Sequence, residues 1–112
     1  MGKMLLIIRQ KTDQKTLGKL SEDLAGYVKI VVDIKRKILA AGGKMHEDGE
    51  KLLLEDGSKQ VDLWGGGLDL ETSSIDFDSM INLRPAQNNP SREVLDQGIR
   101  KQIEVIIRTL LG

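Results

Sequence analysis

The chain carries a single histidine, His46, the one side chain whose ordinary pKa lies near neutrality. Acids crowd in behind it, in His46-Glu47-Asp48-Gly49-Glu50. If this stretch is helical, His46 and Glu50 lie one turn apart on a common face, as paired metal ligands or an acid and a base would. Asp48 lies off that face and can cap. The pattern is not His-Glu-x-x-His, because a second histidine is missing and no cysteine supplies a thiolate. Acids at a helix start also complement the helix dipole with no chemistry at all. The sequence therefore offers His46, Asp48 and Glu50 as catalytic candidates and assigns no metal site and no cofactor.

A second candidate is the loop Arg84-Pro85-Ala86-Gln87-Asn88-Asn89-Pro90-Ser91-Arg92. Two guanidiniums, three amides and a hydroxyl can hold a carboxylate or phosphate bidentately, which makes Arg84, Gln87, Asn88, Ser91 and Arg92 candidates for a small anionic ligand. The structural reading is that Asn and Ser build tight turns, with Arg84 pairing to Asp76 or Asp78 across a hairpin. The third candidate is Trp64-Gly65-Gly66-Gly67, which holds the only tryptophan. Three glycines weaken a strand unless a bulge, a close backbone approach or a ligand compensates. Trp64 suits a core or interface anchor as well as a ligand contact. The glycines lack Gly-x-Gly-x-x-Gly spacing, Ala41-Gly42-Gly43-Lys44-Met45 fails as a phosphate loop, and no Gly-x-Ser-x-Gly elbow presents a serine.

The elements that must position these residues follow from periodicity. Met4 to Ile8 is a short apolar run that reads as a buried strand. Asp13 offers a cap, and Leu17, Leu20 and Leu24 form the stripe of an amphipathic helix with Gly26 as its stop. Tyr27 to Ile34 alternates, with Val28, Ile30, Val32 and Ile34 on one face, as in a half-covered antiparallel strand. Lys35-Arg36-Lys37 turns the chain into a second strand from Ile38. Residues 45–56 read either as a helix, with Met45, Gly49, Leu52 and Leu53 on one face, or as a strand; the acids Glu47, Asp48 and Glu50 favour the helix. Val61 to Leu70 and Ile75 to Leu83 form a hairpin, with Asp76, Asp78, Asn82 and Arg84 on its wet face. Ile99, Ile103, Ile106 and Leu110 mark the last helix, capped by Asp96. The order β-α-β-β-α-β-β-α predicts an α+β fold: a mostly antiparallel sheet of four to five strands with helices packed on one face.

The 112 residues fit one domain, spanning 1–112. Net charge is zero, yet it is segregated: residues 1–44 carry ten Lys/Arg against four Asp/Glu, and residues 45–80 carry two against ten. Such runs are usually solvated faces, and complementary patches also permit self-association. A pI near 6.6 disfavours a nucleic-acid partner. The N-terminal apolar run is too short for a membrane span, and the absence of cysteine suits the cytoplasm.

Val31-Val32-Asp33, Leu39-Ala40-Ala41-Gly42-Gly43, His46-Glu47-Asp48, Leu53-Leu54, Asp56-Gly57-Ser58-Lys59-Gln60, Leu63-Trp64-Gly65 and Ile81-Asn82-Leu83-Arg84-Pro85 together resemble a family of small prokaryotic proteins known only as a domain of unknown function. The likeness spans nearly the whole chain. It implies a bacterial or archaeal cytosolic protein of one domain, with a helix near Met45 to Asp56, and it implies no activity. Members often carry a larger or polar residue after the Trp-Gly pair; Gly66-Gly67 here leaves no side chain to act.

With no complete catalytic set, the expected function is a non-catalytic interaction or small-ligand-binding domain. It is expected to be a homodimer, with Trp64 and the glycine strand near the contact. The alternative is a small hydrolase or phosphate-handling enzyme built from the His46 acidic segment and the Arg84–Arg92 loop, which requires those residues to converge.

Overall fold

A computed structural model describes residues 4–112; the first three residues of the expected 1–112 domain lie outside the described residues. The elements run β1 (Leu5–Ile8), α1 (Gln14–Leu20), β2 (Tyr27–Asp33), β3 (Ile38–Gly42), α2 (His46–Glu55), β4 (Leu63–Asp69), β5 (Ile75–Asp76) and α3 (Gln97–Leu111), the order expected from sequence. All pairings are antiparallel, in the order β1-β3-β2-β4-β5. The result is the α+β fold that the periodicity predicts.

Local chemistry explains the boundaries. Asp13 caps α1 by accepting from the Thr16 N–H, and Asp96 caps α3 by accepting from Ile99. Asp33 caps the β2–β3 turn, its Oδ1 accepting from the N–H groups of Lys35 and Arg36 at 2.9 Å. Residues 45–56 resolve as a helix: Glu47 and Asp48 sit in its positive first turn, and Gly57, at φ +101°, ends it. Past its end, Asp56 accepts from Arg9 at 2.7 Å and Arg36 at 2.8 Å, and these bonds hold its carboxyl below the usual carboxylate range.

The helices divide between the two sheet faces. α1 and α3 share one, where Leu17, Leu20, Ile103, Ile107 and Leu110 pack on Val28, Ile30, Val32 and Leu39. The expectation of helices on one face holds for these two. α2 covers the other face, where Leu53 packs on Val31, Ala40 and Leu63. β2 is therefore covered on both sides over Val31 and Asp33, rather than half-covered, and its open face survives only near Tyr27 and Lys29. α2 also turns a different stripe inward. His46, Gly49 and Leu53 are buried, while Met45 is 54% exposed. Gly49 permits this seating, because a Cβ there would stand 3.1 Å from Val31 and 3.3 Å from Ala40.

The expected second strand of the last hairpin is cut short. β5 pairs only Asp76 with Gly67 and Ile75 with Leu68. The chain then leaves the sheet through tight helical turns at Met80–Asn82 and Pro85–Gln87. Alternation would put Asn82 on a wet face, but its side chain is fully buried.

Candidate functional site

The glycine strand is built for close approach. A Cβ on Gly66 would overlap the Asp76 carbonyl oxygen, one on Gly67 would overlap the Tyr27 hydroxyl, and one on Gly65 would stand 2.6 Å from the Ser79 Cβ. Gly65 and Gly67 oppose Val31 and Lys29, so their missing side chains lie on the α2 face. Neighbours fill that bare surface: Ser79 and Ile81 over Gly65, and the Tyr27 ring over Gly67. The gap also opens the backbone between them, and His46 Nε2 lies 2.7 Å from the Gly66 carbonyl oxygen. That oxygen can only accept, so Nε2 carries the proton and Nδ1 keeps its lone pair.

Where β5 stops, Asn82 takes over. Its Oδ1 accepts from the Gly65 N–H at 2.8 Å, and its Nδ2 donates to the carbonyls of Gly65, Phe77 and Arg92 at 3.0–3.1 Å. The amide thus mimics the missing strand residue opposite Gly65. Asn89 repeats the device in the next turn. It donates to the carbonyls of Asn82, Ser91 and Glu93 and accepts from the Leu95 N–H.

Arg84 is not paired with Asp76 or Asp78. Its guanidinium lies over the Trp64 ring, 4.1 Å from the centroid, and donates to the carbonyls of Gln60 and Leu63 and to Gln87 Oε1. Burial pulls its pKa down, partly offset by Glu50. Gln87 donates to the Val61 carbonyl. Asn88 occupies the left-handed turn position at φ +60°, and the Ser91 hydroxyl accepts from Glu93 N–H. Trp64 is 2% exposed, which makes it a core residue rather than an interface anchor. On α2, Glu50 accepts from Gln60, so it turns to a different partner from His46. Among the described residues no three His, Asp or Glu side chains are grouped to hold a metal.

A cleft of about 200 Å³ opens where β2, β5 and the start of α2 meet. Its walls include Tyr27, Lys29, Lys44, His46, Glu47 and Asp76, with Arg92, Asp78 and Ser79 beside them and Met45 and Met80 at its edge. Of the residues singled out from sequence, it takes His46 and Arg92. Asp48, Glu50, Trp64, Arg84, Gln87, Asn88 and Ser91 do not line it. Sequence reasoning missed Tyr27, Lys29 and Asp76 because only the sheet order brings them together. The available signal was a bare Gly67, which asks for an aromatic on the adjacent strand.

Within the cleft, Tyr27 donates to Asp76 at 2.6 Å. Burial, aided by that bond and the Asp76 charge, raises the tyrosine pKa well above its ordinary 10, so the phenol stays protonated. Burial lowers the His46 pKa below 6.5. The Gly66 bond opposes this, Lys29 adds to it, and Asp76 and Glu47 oppose it. Arg92 pairs with Asp78 at 3.3 Å. Among the described residues, neither Lys29 nor Lys44 has a carboxylate within 4.0 Å. No helix among them is long and apolar enough to cross a membrane.

Fold and cleft together define a small α+β domain with a polar cleft at the start of α2. The chain belongs to the DUF5674 family, described as a protein of unknown function, whose family model matches residues 6–110. Comparison with curated proteins and with solved structures gives no match.

Proposed function

We propose that this chain is a small-ligand-binding domain, without a catalytic role, that takes a small anion in the cleft beside His46. The carrying observation is that Lys29 and Lys44 line a concave site with no carboxylate within 4.0 Å of either among the described residues. The start of α2 adds to it. Met45 at the cap offers no side-chain acceptor, and Met45, His46 and Glu47 at the positive end of the helix line the same cleft. At about 200 Å³ the site falls below the roughly 300–1,000 Å³ of drug-sized pockets, so its occupant is small.

The enzyme alternative draws on the Nδ1 lone pair of His46. It is less well supported, because burial makes that base weaker, Ser79 Oγ accepts from Ile81 N–H, and the loop from Arg84 spends its groups on backbone. Titration of labelled protein with inorganic phosphate and with small carboxylates tests the proposal. Resonances of Lys29, Lys44 and His46 should shift saturably, and Lys29→Met and Lys44→Met should each weaken binding by about tenfold. Saturable shifts confined to Arg84 and Asn88 would move the site to the loop and sink this reading.

Self-association is a second part of the proposal, carried by β1. It is an edge strand of four apolar residues, three of them only half-buried, with neither charge nor proline to block pairing. A monomer in sedimentation at micromolar concentration refutes it.

A further inference from the structure

We infer that the cleft favours a small carboxylate carrying an adjacent ammonium or hydroxyl donor and a short aliphatic chain, over a simple anion. This rests on the ligand-binding reading and deepens it. Several polar groups in the cleft already have partners within the protein. Tyr27 donates to Asp76, Arg92 pairs with Asp78, Ser79 Oγ accepts from the Ile81 N–H, and His46 Nε2 donates to Gly66. Among the described residues, Lys29 and Lys44 are cations with no carboxylate within 4.0 Å, Glu47 and Asp76 are carboxylates with no cation within 4.0 Å, Asp76 accepting only from the neutral Tyr27 hydroxyl and the Asp78 N–H, and His46 Nδ1 is an acceptor.

A simple anion satisfies the two lysines and leaves Glu47 facing like charge. A ligand with an anionic head and a neighbouring donor satisfies both sets: the head between Lys29 and Lys44, the donor toward Glu47 and the His46 lone pair. Lys29 is half-buried and His46 buried, so a ligand that leaves them unmatched costs their desolvation, while the exposed Lys44 and Glu47 discriminate through charge complementarity. Met45 and Met80, each 54% exposed at the cleft edge, offer flexible apolar contact for the aliphatic part.

Four probes sharing the isobutyl group test this by titration of labelled full-length protein: leucine, 2-hydroxy-4-methylpentanoate, 4-methylpentanoate and, lacking the carboxylate, 3-methylbutylamine, with inorganic phosphate as the simple anion. Leucine or the hydroxy acid should bind at least about tenfold more tightly than 4-methylpentanoate and than the amine, the two separating ammonium from hydroxyl recognition. Glu47→Gln, at an exposed position, should tighten 4-methylpentanoate and phosphate binding by removing the like charge, and cut the donor-bearing probe's advantage over them by about tenfold. If 4-methylpentanoate or phosphate binds as well as the donor-bearing probes, or if Glu47→Gln leaves the advantage intact, the inference is overturned and anion binding stands. If none of the five shifts a cleft resonance, the ligand-binding reading falls with it.

Discussion

The Arg84–Arg92 loop and the cleft beside His46 are both rich in polar side chains, yet they are in opposite states. In the loop, the Arg84 guanidinium, the amides of Gln87 and Asn89 and the Ser91 hydroxyl all bind the protein itself, largely its backbone. In the cleft, Lys29, Lys44 and Glu47 lack ion-pair partners among the described residues. The loop left the sheet when β5 ended, so its backbone groups needed substitutes for a strand ladder, and Asn82 and Asn89 provide them. The cleft is lined partly by exposed side chains that water can solvate, so nothing compels them to pair. Polar composition thus marks two different things: repair of broken secondary structure, and capacity to bind.

The largest expected effects break the repair side. Asn82→Ala orphans Gly65 N–H and three carbonyl contacts in the interior and should cost about 3–5 kcal/mol by denaturant unfolding. A cost below 1 kcal/mol would mean that the amide only fills space. Gly66→Ala should cost about 2–3 kcal/mol, since its Cβ meets backbone rather than a movable side chain; neutrality there would show that β5 is free to shift. Arg84→Met keeps the stem over Trp64 but removes donors to Gln60 and Leu63, and a loss of about 1–2 kcal/mol is expected.

The remaining two probe the cleft. The unfolded chain binds a proton at His46 near pH 6.5, whereas burial lowers the folded value, so the unfolded state takes up more protons between the two. Stability is therefore full above pH 6.5 and falls as pH drops through it toward the folded value. His46→Gln should flatten that part of the melting-temperature profile, and an unchanged slope would assign it to carboxylates. Lys29→Met and Lys44→Met come last, at within about 0.5 kcal/mol of wild type by thermal melting, because no partner is lost. A clear destabilisation would show that these lysines are spent after all.

Much of the fold was legible because burial imposes periodicity. The α3 stripe, the alternation of β2 and the caps Asp13 and Asp96 read directly from residue order. The same rule misled at Asn82, where alternation continued a strand that β4 could not extend, and at α2, where either of two stripes fits until the sheet chooses one. The glycine run was legible as a place of close approach, and Ser79, Asp76 and Tyr27 are what approaches.

By itself, then, the sequence determined the elements, their order and the α+β class, since these depend on local hydrophobic spacing and capping. It also determined that β4 must carry bare backbone. Only the tertiary structure decided that Tyr27, Lys29, His46 and Asp76 share one cleft and that Arg84 serves the fold. The physical reason is that a polar group's role depends on whether its partner has been supplied, and partners here come from residues far apart in the chain, across a sheet whose order is not the order of the sequence.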